Sequence, residues 1–271
     1  MKRFLTICTA LLVVCNSAWA WARLGHATVA KIAEEHLTKR AKKQLDRYMH
    51  GESIVKWASY ADDAKPVLLL DTGFEPTNTT RLTTYPHTFE AEDDCTVFRD
   101  TKRNGAFVKN SIYQIERLAE ELRHPERMTD SARITTIALI VHFVGDMHCP
   151  EHIRYPEDQT IGYYNVYLDG KKIRLHTLWD DLIVRARHPW SFSDLAELLD
   201  TASPQQIKDI CAGTIYDWGY DCAKVSREVH SAKPEERFDR TEYLDKYVPL
   251  AESQIRNGGY RLAALLNSIF D

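Results

Sequence analysis

The chain has 271 residues, 44% of them hydrophobic, with 35 Lys and Arg against 39 Asp and Glu and a formal net charge of −4. That length suits one domain with a sizeable core, and no low-complexity linker or internal repeat divides it. The acidic balance argues against a basic groove as the means of holding nucleic acid, so a phosphate bound here would owe its positive charge to metal.

The first twenty residues have the plan of a secretory signal: Lys2 and Arg3, an apolar run over residues 4–15, then Ala18-Trp19-Ala20 as a cleavage site. The run is too short to span a bilayer and no second one follows, which predicts no membrane anchor. Val14 stands before Cys15 where a lipoprotein signal needs a small residue. The expectation is a soluble protein, periplasmic or extracellular, whose mature chain is one catalytic domain over 21–271 and a monomer. The leader carries two cations and no acids, so the mature balance is 33 against 39, or −6. Cys8 and Cys15 leave with it; Cys95, Cys149, Cys211 and Cys222 remain, in no paired C-x-x-C pattern, and predict one or two disulfides of unassigned pairing.

Residues 65–86, with three prolines and few periodic apolar positions, predict a long surface loop. Val108, Ile112, Ile115, Ala119 and Leu122 form a helical stripe. Asp130–Met147 is the strongest helix, capped by Asp130 or Ser131, with Ile134, Ile137, Ala138, Val141 and Gly145 on one side. Ile140, Phe143 and Val144 make its other sides apolar too, which places it centrally. Residues 163–176 alternate about Asp169-Gly170 and predict a short β-hairpin with a type I′ turn. Ile207, Cys211, Ile215, Trp218, Cys222 and Val225 form another stripe, and Leu262, Leu265, Leu266 and Ile269 close the chain. The whole predicts an all-α, single-domain helical bundle with one short hairpin.

His142 and Asp146 lie four apart on the central helix, so their side chains share a face one turn apart. Pro150 ends that helix and His152 follows where the chain can turn back, giving the string His142-Phe-Val-Gly-Asp146-Met-His148-Cys-Pro-Glu-His152. His176-Thr-Leu-Trp-Asp180 repeats the spacing at the exit of the hairpin. Imidazole and carboxylate suit zinc, and the lack of nearby thiolates fits a catalytic site better than a structural one. Buried without a partner these groups would be costly; a closed hydrogen-bond network is the alternative to metal.

These strings, together with Trp21-Ala-Arg-Leu-Gly-His26, Trp57-Ala-Ser-Tyr-Ala-Asp62, Tyr85-Pro-His87 and Gly259-Tyr-Arg-Leu-Ala-Ala-Leu-Leu-Asn267, resemble the zinc-dependent nucleases of fungi, plants and bacteria typified by nuclease P-one and nuclease S-one. The resemblance runs through the mature chain. It implies a helical fold related to that of zinc phospholipase C and a centre of three zinc ions. The free amine and carbonyl of Trp21 would chelate one with His26; Asp62, His87 and His142 would hold a second; Asp146 would bridge the two; His152, His176 and Asp180 would hold the third. Asp63 and Asp181 leave a one-residue ambiguity at two positions.

The same resemblance implies hydrolysis of single-stranded DNA and RNA to 5′-phosphorylated products by a hydroxide on the metal pair joined by Asp146, with Asp62 and Asp146 as the catalytic carboxylates, a third zinc at the leaving oxygen, and 3′-nucleotidase action besides. Tyr85, Phe89, Tyr163 and Tyr164 are candidates for base stacking, and equally for packing. Where many members carry Gly-Gly-Asn this chain has Gly162-Tyr-Tyr-Asn165, and where they carry Gln-Pro-Leu it has Cys149-Pro150-Glu151, which puts the base pocket and substrate range in doubt. His36, His50, His124, His188 and His230 read as surface or helix-packing residues, and His148 sits among the ligand candidates without being one. The alternatives are a zinc phospholipase C, disfavoured by the short Trp21 to His26 spacing and by an aspartate at Asp180, an exported zinc-binding protein without turnover, and a plain helical interaction domain.

Overall fold

The computed structural model describes residues 21–63, 87–98, 100–103, 106–155, 164–182, 186 and 191–271. The expected leader and the expected loop at 65–86 lie outside the described residues. Helices dominate: α1 (Ala22–Glu35), α2 (Lys39–Tyr48), α3 (Tyr60–Asp63), α4 (Ser111–Leu122), α5 (Asp130–Met147), α6 (Leu175–Thr177), α7 (Phe192–Leu199), α8 (Pro204–Ile210), α9 (Ile215–Val229) and α10 (Arg240–Phe270). Side chains that accept from backbone amides start them: Thr38, Asn110 and Asp239 at α2, α4 and α10, with full capping boxes at Ser191, Ser203 and Thr214.

Helix α5 is central because it is apolar all round; every residue from Thr135 to Met147 is buried. Helices α1, α3 and α4 and the C-terminal α10 pack against it. The most extensive pairing joins the two ends of the chain, α1 lying along α10. That approach is close because Gly259 has no side chain: a Cβ there would stand 2.5 Å from Ile32 Cγ2. None of the described helices is long and apolar enough to cross a membrane.

Short strands trim the bundle. β1 (Phe89–Glu90) pairs in parallel with β4 (Ile153–Arg154), Phe89 opposite Ile153, which brings His87 and His152 alongside each other just ahead of their strands. β2 (Asp100–Arg103) and β3 (Ala106–Lys109) form a second pair. The expected hairpin is β5 (Asn165–Leu168) with β6 (Lys171–Arg174), joined through Asp169 and Gly170 at φ 49 and 74, the two positive angles of a type I′ turn; β7 (Arg237–Phe238) adds to its other edge.

Four expectations are corrected. Val108 lies in β3, not in a helix, because Asn110 caps α4 only from Ser111. The cap of α5 is Thr129, whose hydroxyl accepts from the Ala132 amide, not Asp130 or Ser131. The stripe from Ile207 to Val225 is two helices, broken where Gly213 turns at φ 84 and Thr214 caps α9. The four described cysteines, Cys95, Cys149, Cys211 and Cys222, are all free, so no disulfide forms among them; Cys222 Sγ instead takes a guanidinium hydrogen from Arg261 at 3.8 Å. Thr129→Ala should destabilise the domain by about 1 kcal/mol, read as a lower urea midpoint at unchanged slope.

Candidate metal centre

Three elements meet at Asp146. Its carboxylate is wholly buried, Oδ1 lying 3.3 Å from His26 Nε2 of α1 and Oδ2 3.2 Å from His142 Nε2 one turn back on α5. The two imidazoles stack, centroids 4.3 Å apart and planes within 12°. Donor atoms of all three residues fall within 4.8 Å of one another. Asp62 at the end of α3 approaches from the other side, Oδ1 3.8 Å from His142 Nε2. The Nδ1–H of His142 donates to the Ala58 carbonyl at 2.9 Å, which turns Nε2 to the carboxylates. Gly145 makes the crossing of α1 and α5 possible: a Cβ there would lie 2.5 Å from His26 Nδ1. Trp21 opens α1, buried, with its carbonyl accepting from the Gly25 amide at 3.0 Å.

A second group lies beside the first. His152 packs its ring 5.1 Å from those of His87 and His176, and His176 Nε2 stands 3.2 Å from Asp180 Oδ2. Cys149, His152 and Asp180 place donor atoms within 4.8 Å of one another, all three residues buried. A thiol therefore does stand at this group, contrary to the expectation of none nearby; the turn Pro150–His152 that follows Cys149 folds it back onto the same cavity. Asp62 and Asp180 face the imidazoles, while the side chains of Asp63 and Asp181 lie outside the described residues.

These donors fit metal better than one another. Neither oxygen of Asp146, neither nitrogen of His26, nor Nδ1 of His152 makes a hydrogen bond among the described residues, although all are buried. Such groups are costly unless a cation completes them. Burial alone would lower the basicity of His142, but Asp146 and then Asp62 outweigh it and hold the imidazole up at about 9. Asp146, which burial would raise, is held well below the usual carboxylate range by His142 and His26. Burial raises Asp62 despite both histidines. Burial also keeps His152 well below its ordinary value and His176 at about 4, so both are neutral and able to ligate.

The sign for His142 sets a pH window. Its folded value lies above the ordinary 6.5, so in metal-free protein the pair contributes stability below pH 6.5 and loses it as pH rises through about 9. A metal bound through Nε2 must displace that proton, so uptake strengthens across the same window. Melting curves of chelator-treated protein should shift down from pH 6.5 to 9 while the increment on adding divalent metal grows; an increment flat across that window would sink the idea.

Other side chains sort themselves by partner. His148 is buried but turns away: Nδ1 donates to the Val144 carbonyl at 2.8 Å, Nε2 accepts from Arg261 at 3.2 Å, and burial with the guanidinium beside it lowers its pKa to about 3. His50 pairs with Asp130 on the surface, His124 stands exposed by Glu120 and Glu126, and His36 meets Asp200; His188 lies outside the described residues. His230 is more than a packing residue. Its side chain is buried, although the residue as a whole is half-buried, and stands 3.3 Å from Glu151, a pair that the sequence signalled only by a carboxylate at position 151. Phe89 is core and Tyr164 donates to the Ala232 carbonyl at 2.8 Å, so both pack rather than present an open face; Tyr85 and Tyr163 lie outside the described residues.

The all-α bundle thus carries two adjoining buried groups of residues that could hold metal ions. The family model for the S1/P1 nucleases matches residues 21–271, and the chain belongs to that family. It is 27% identical to nuclease S1 of Aspergillus oryzae, covering 99% of this chain and 98% of that one. It is 26% identical to nuclease P1 of Penicillium citrinum, over 92% and 97% of the two chains. With endonuclease 4 of Arabidopsis thaliana the identity is 24%, over 94% and 91%.

Proposed function

We propose that this chain is an exported zinc-dependent endonuclease that hydrolyses the phosphodiester bonds of single-stranded DNA and RNA to 5′-phosphorylated products, with 3′-nucleotidase action besides. The observation that carries the reading is Asp146: a wholly buried carboxylate flanked on its two oxygens by imidazoles from two helices. Trp21 and His26 would hold one zinc, Asp62, His87 and His142 a second, with Asp146 shared, and His152, His176 and Asp180 a third. Bound there, zinc supplies Lewis acidity and a water acidic enough to attack phosphorus near neutral pH. The protein's part is position. Ala58 fixes the ring of His142, Gly145 admits His26, and the buried wall of α5 keeps bulk water off the carboxylates.

Charge supports the same reading. Three divalent ions offset the −6 of a chain beginning at Trp21 and put positive potential where a phosphate must lie. An unpaired strand is the substrate this reading favours, since a base free of its stack can come in beside the metals. Export is supported by a family match that starts at Trp21. The left-handed backbone of Trp21, φ 48, is a cost of roughly 1–2 kcal/mol that cleavage ahead of this residue removes, because the torsion then no longer exists. The product is a periplasmic or extracellular monomer of one domain.

The deciding assay uses protein beginning at Trp21, offered single-stranded DNA, RNA and phosphatidylcholine, with and without chelator, alongside a zinc count. Chelator-sensitive cleavage of both nucleic acids with about three zincs per chain supports the proposal. Cleavage of lipid alone, or zinc without turnover, overturns it.

A further inference from the structure

The thiol of Cys149 has no part in that assignment, yet it belongs to the second cluster by position. Its Sγ, a ring nitrogen of His152 and a carboxylate oxygen of Asp180 lie within 4.8 Å of one another. The residue is 0% exposed and unbridged. It starts the tight turn that ends at His152, whose amide donates to the Cys149 carbonyl at 2.9 Å, so one short piece of backbone aims both side chains at Asp180. His152 keeps Nδ1 without a hydrogen bond among the described residues, and Asp180 brings His176 with it at 3.2 Å. Three donors therefore meet there, a sulfur, an imidazole and a carboxylate, with His176 beside the carboxylate.

We propose that Cys149 is a thiolate ligand of the metal held by His152, His176 and Asp180. This rests on the metal reading of the site. Donors of a tetrahedral zinc, bonded at about 2.0–2.3 Å, stand roughly 3.3–3.8 Å apart, so an ion would draw the cluster in by about 1 Å. As the sulfur–metal bond forms, the thiol proton leaves to solvent and no redox partner is required.

Cobalt(II) in place of zinc tests this without reference to activity, because thiolate ligation gives a strong charge-transfer absorption in the near ultraviolet. The protein loaded with cobalt should show that band, Cys149→Ser should lose it, and a chain with Cys95, Cys211 and Cys222 all changed to serine should keep it. Cys149→Ser should also release one equivalent of metal at a chelator concentration lower by more than about tenfold, the loss that removing even an outer partner causes. Should Cys149→Ser fail to fold, the triple variant still decides, since Cys149 is its only mature thiol. A full cobalt count with no band in the parent protein overturns the proposal while leaving the metal site standing. No cobalt bound at all overturns both.

Discussion

In Asp146→Asn protein, hydrolysis of single-stranded DNA falls by at least about three orders of magnitude and bound zinc drops from three equivalents to one. The substitution preserves volume and burial, so what changes is charge. An amide can neither bridge two cations nor neutralise the two imidazoles 3.2 and 3.3 Å away. His142 loses the main cause of its raised pKa and reverts towards the low value that its burial dictates. Removing one partner of a buried charged pair typically costs 3–5 kcal/mol, so the metal-free variant melts lower as well. The third equivalent, held by separate side chains, stays. Activity with zinc counted in the same sample checks all of this, and a variant that keeps three zincs would refute the bridging role.

Gly145→Ala gives the second large effect, and its sign is the reverse of what a helix position suggests. Replacing an interior helical glycine by alanine ordinarily stabilises by about 1 kcal/mol. Here the new methyl would sit 2.5 Å from His26 Nδ1 and 3.0 Å from its Cε1, against a ring that is 1% exposed and has nowhere to go. Overpacking of this kind costs roughly 1–3 kcal/mol, and relief requires α1 to move away from α5. His26 then leaves Asp146, so activity falls by about a hundredfold or more, although no proposed ligand is altered; a 1 Å misplacement near a reacting centre has that effect. Thermal melts and kcat/KM of the purified variant test the two halves separately. A variant as stable and active as the parent would show that α1 does not seat where this crossing requires.

What the sequence disclosed and what it hid follow one division. Features carried by a single element were legible: α5 through its apolar circumference, His142 with Asp146 and His176 with Asp180 through one helical turn, the hairpin through Asp169-Gly170. Boundaries were harder where several residues could serve. Thr129, Asp130 and Ser131 all favour a cap, and only the hydrogen bond to Ala132 selects among them. Val108 lies four before Ile112 and so mimics a helical stripe, although it ends a strand. The first half of α10 carries a stripe at helical spacing, Tyr243, Tyr247, Val248, Ala251 and Ile255, but Pro249 interrupts it and hides a helix of 31 residues. Pairings between distant elements were out of reach. His148 is settled by Arg261, 113 positions on, and Cys149 by Asp180, neither of which local spacing can announce.

The pairing of α1 with α10 governs when this site can exist. Synthesis delivers Trp21 and His26 well before Gly259, so α1 waits for α10 before its inner face is covered. Contacts of such high sequence separation form late, after the entropy of closing almost the entire chain has been met. A truncated or still-emerging polypeptide therefore holds His26 on an unsupported segment, and an incomplete product is silent by topology alone.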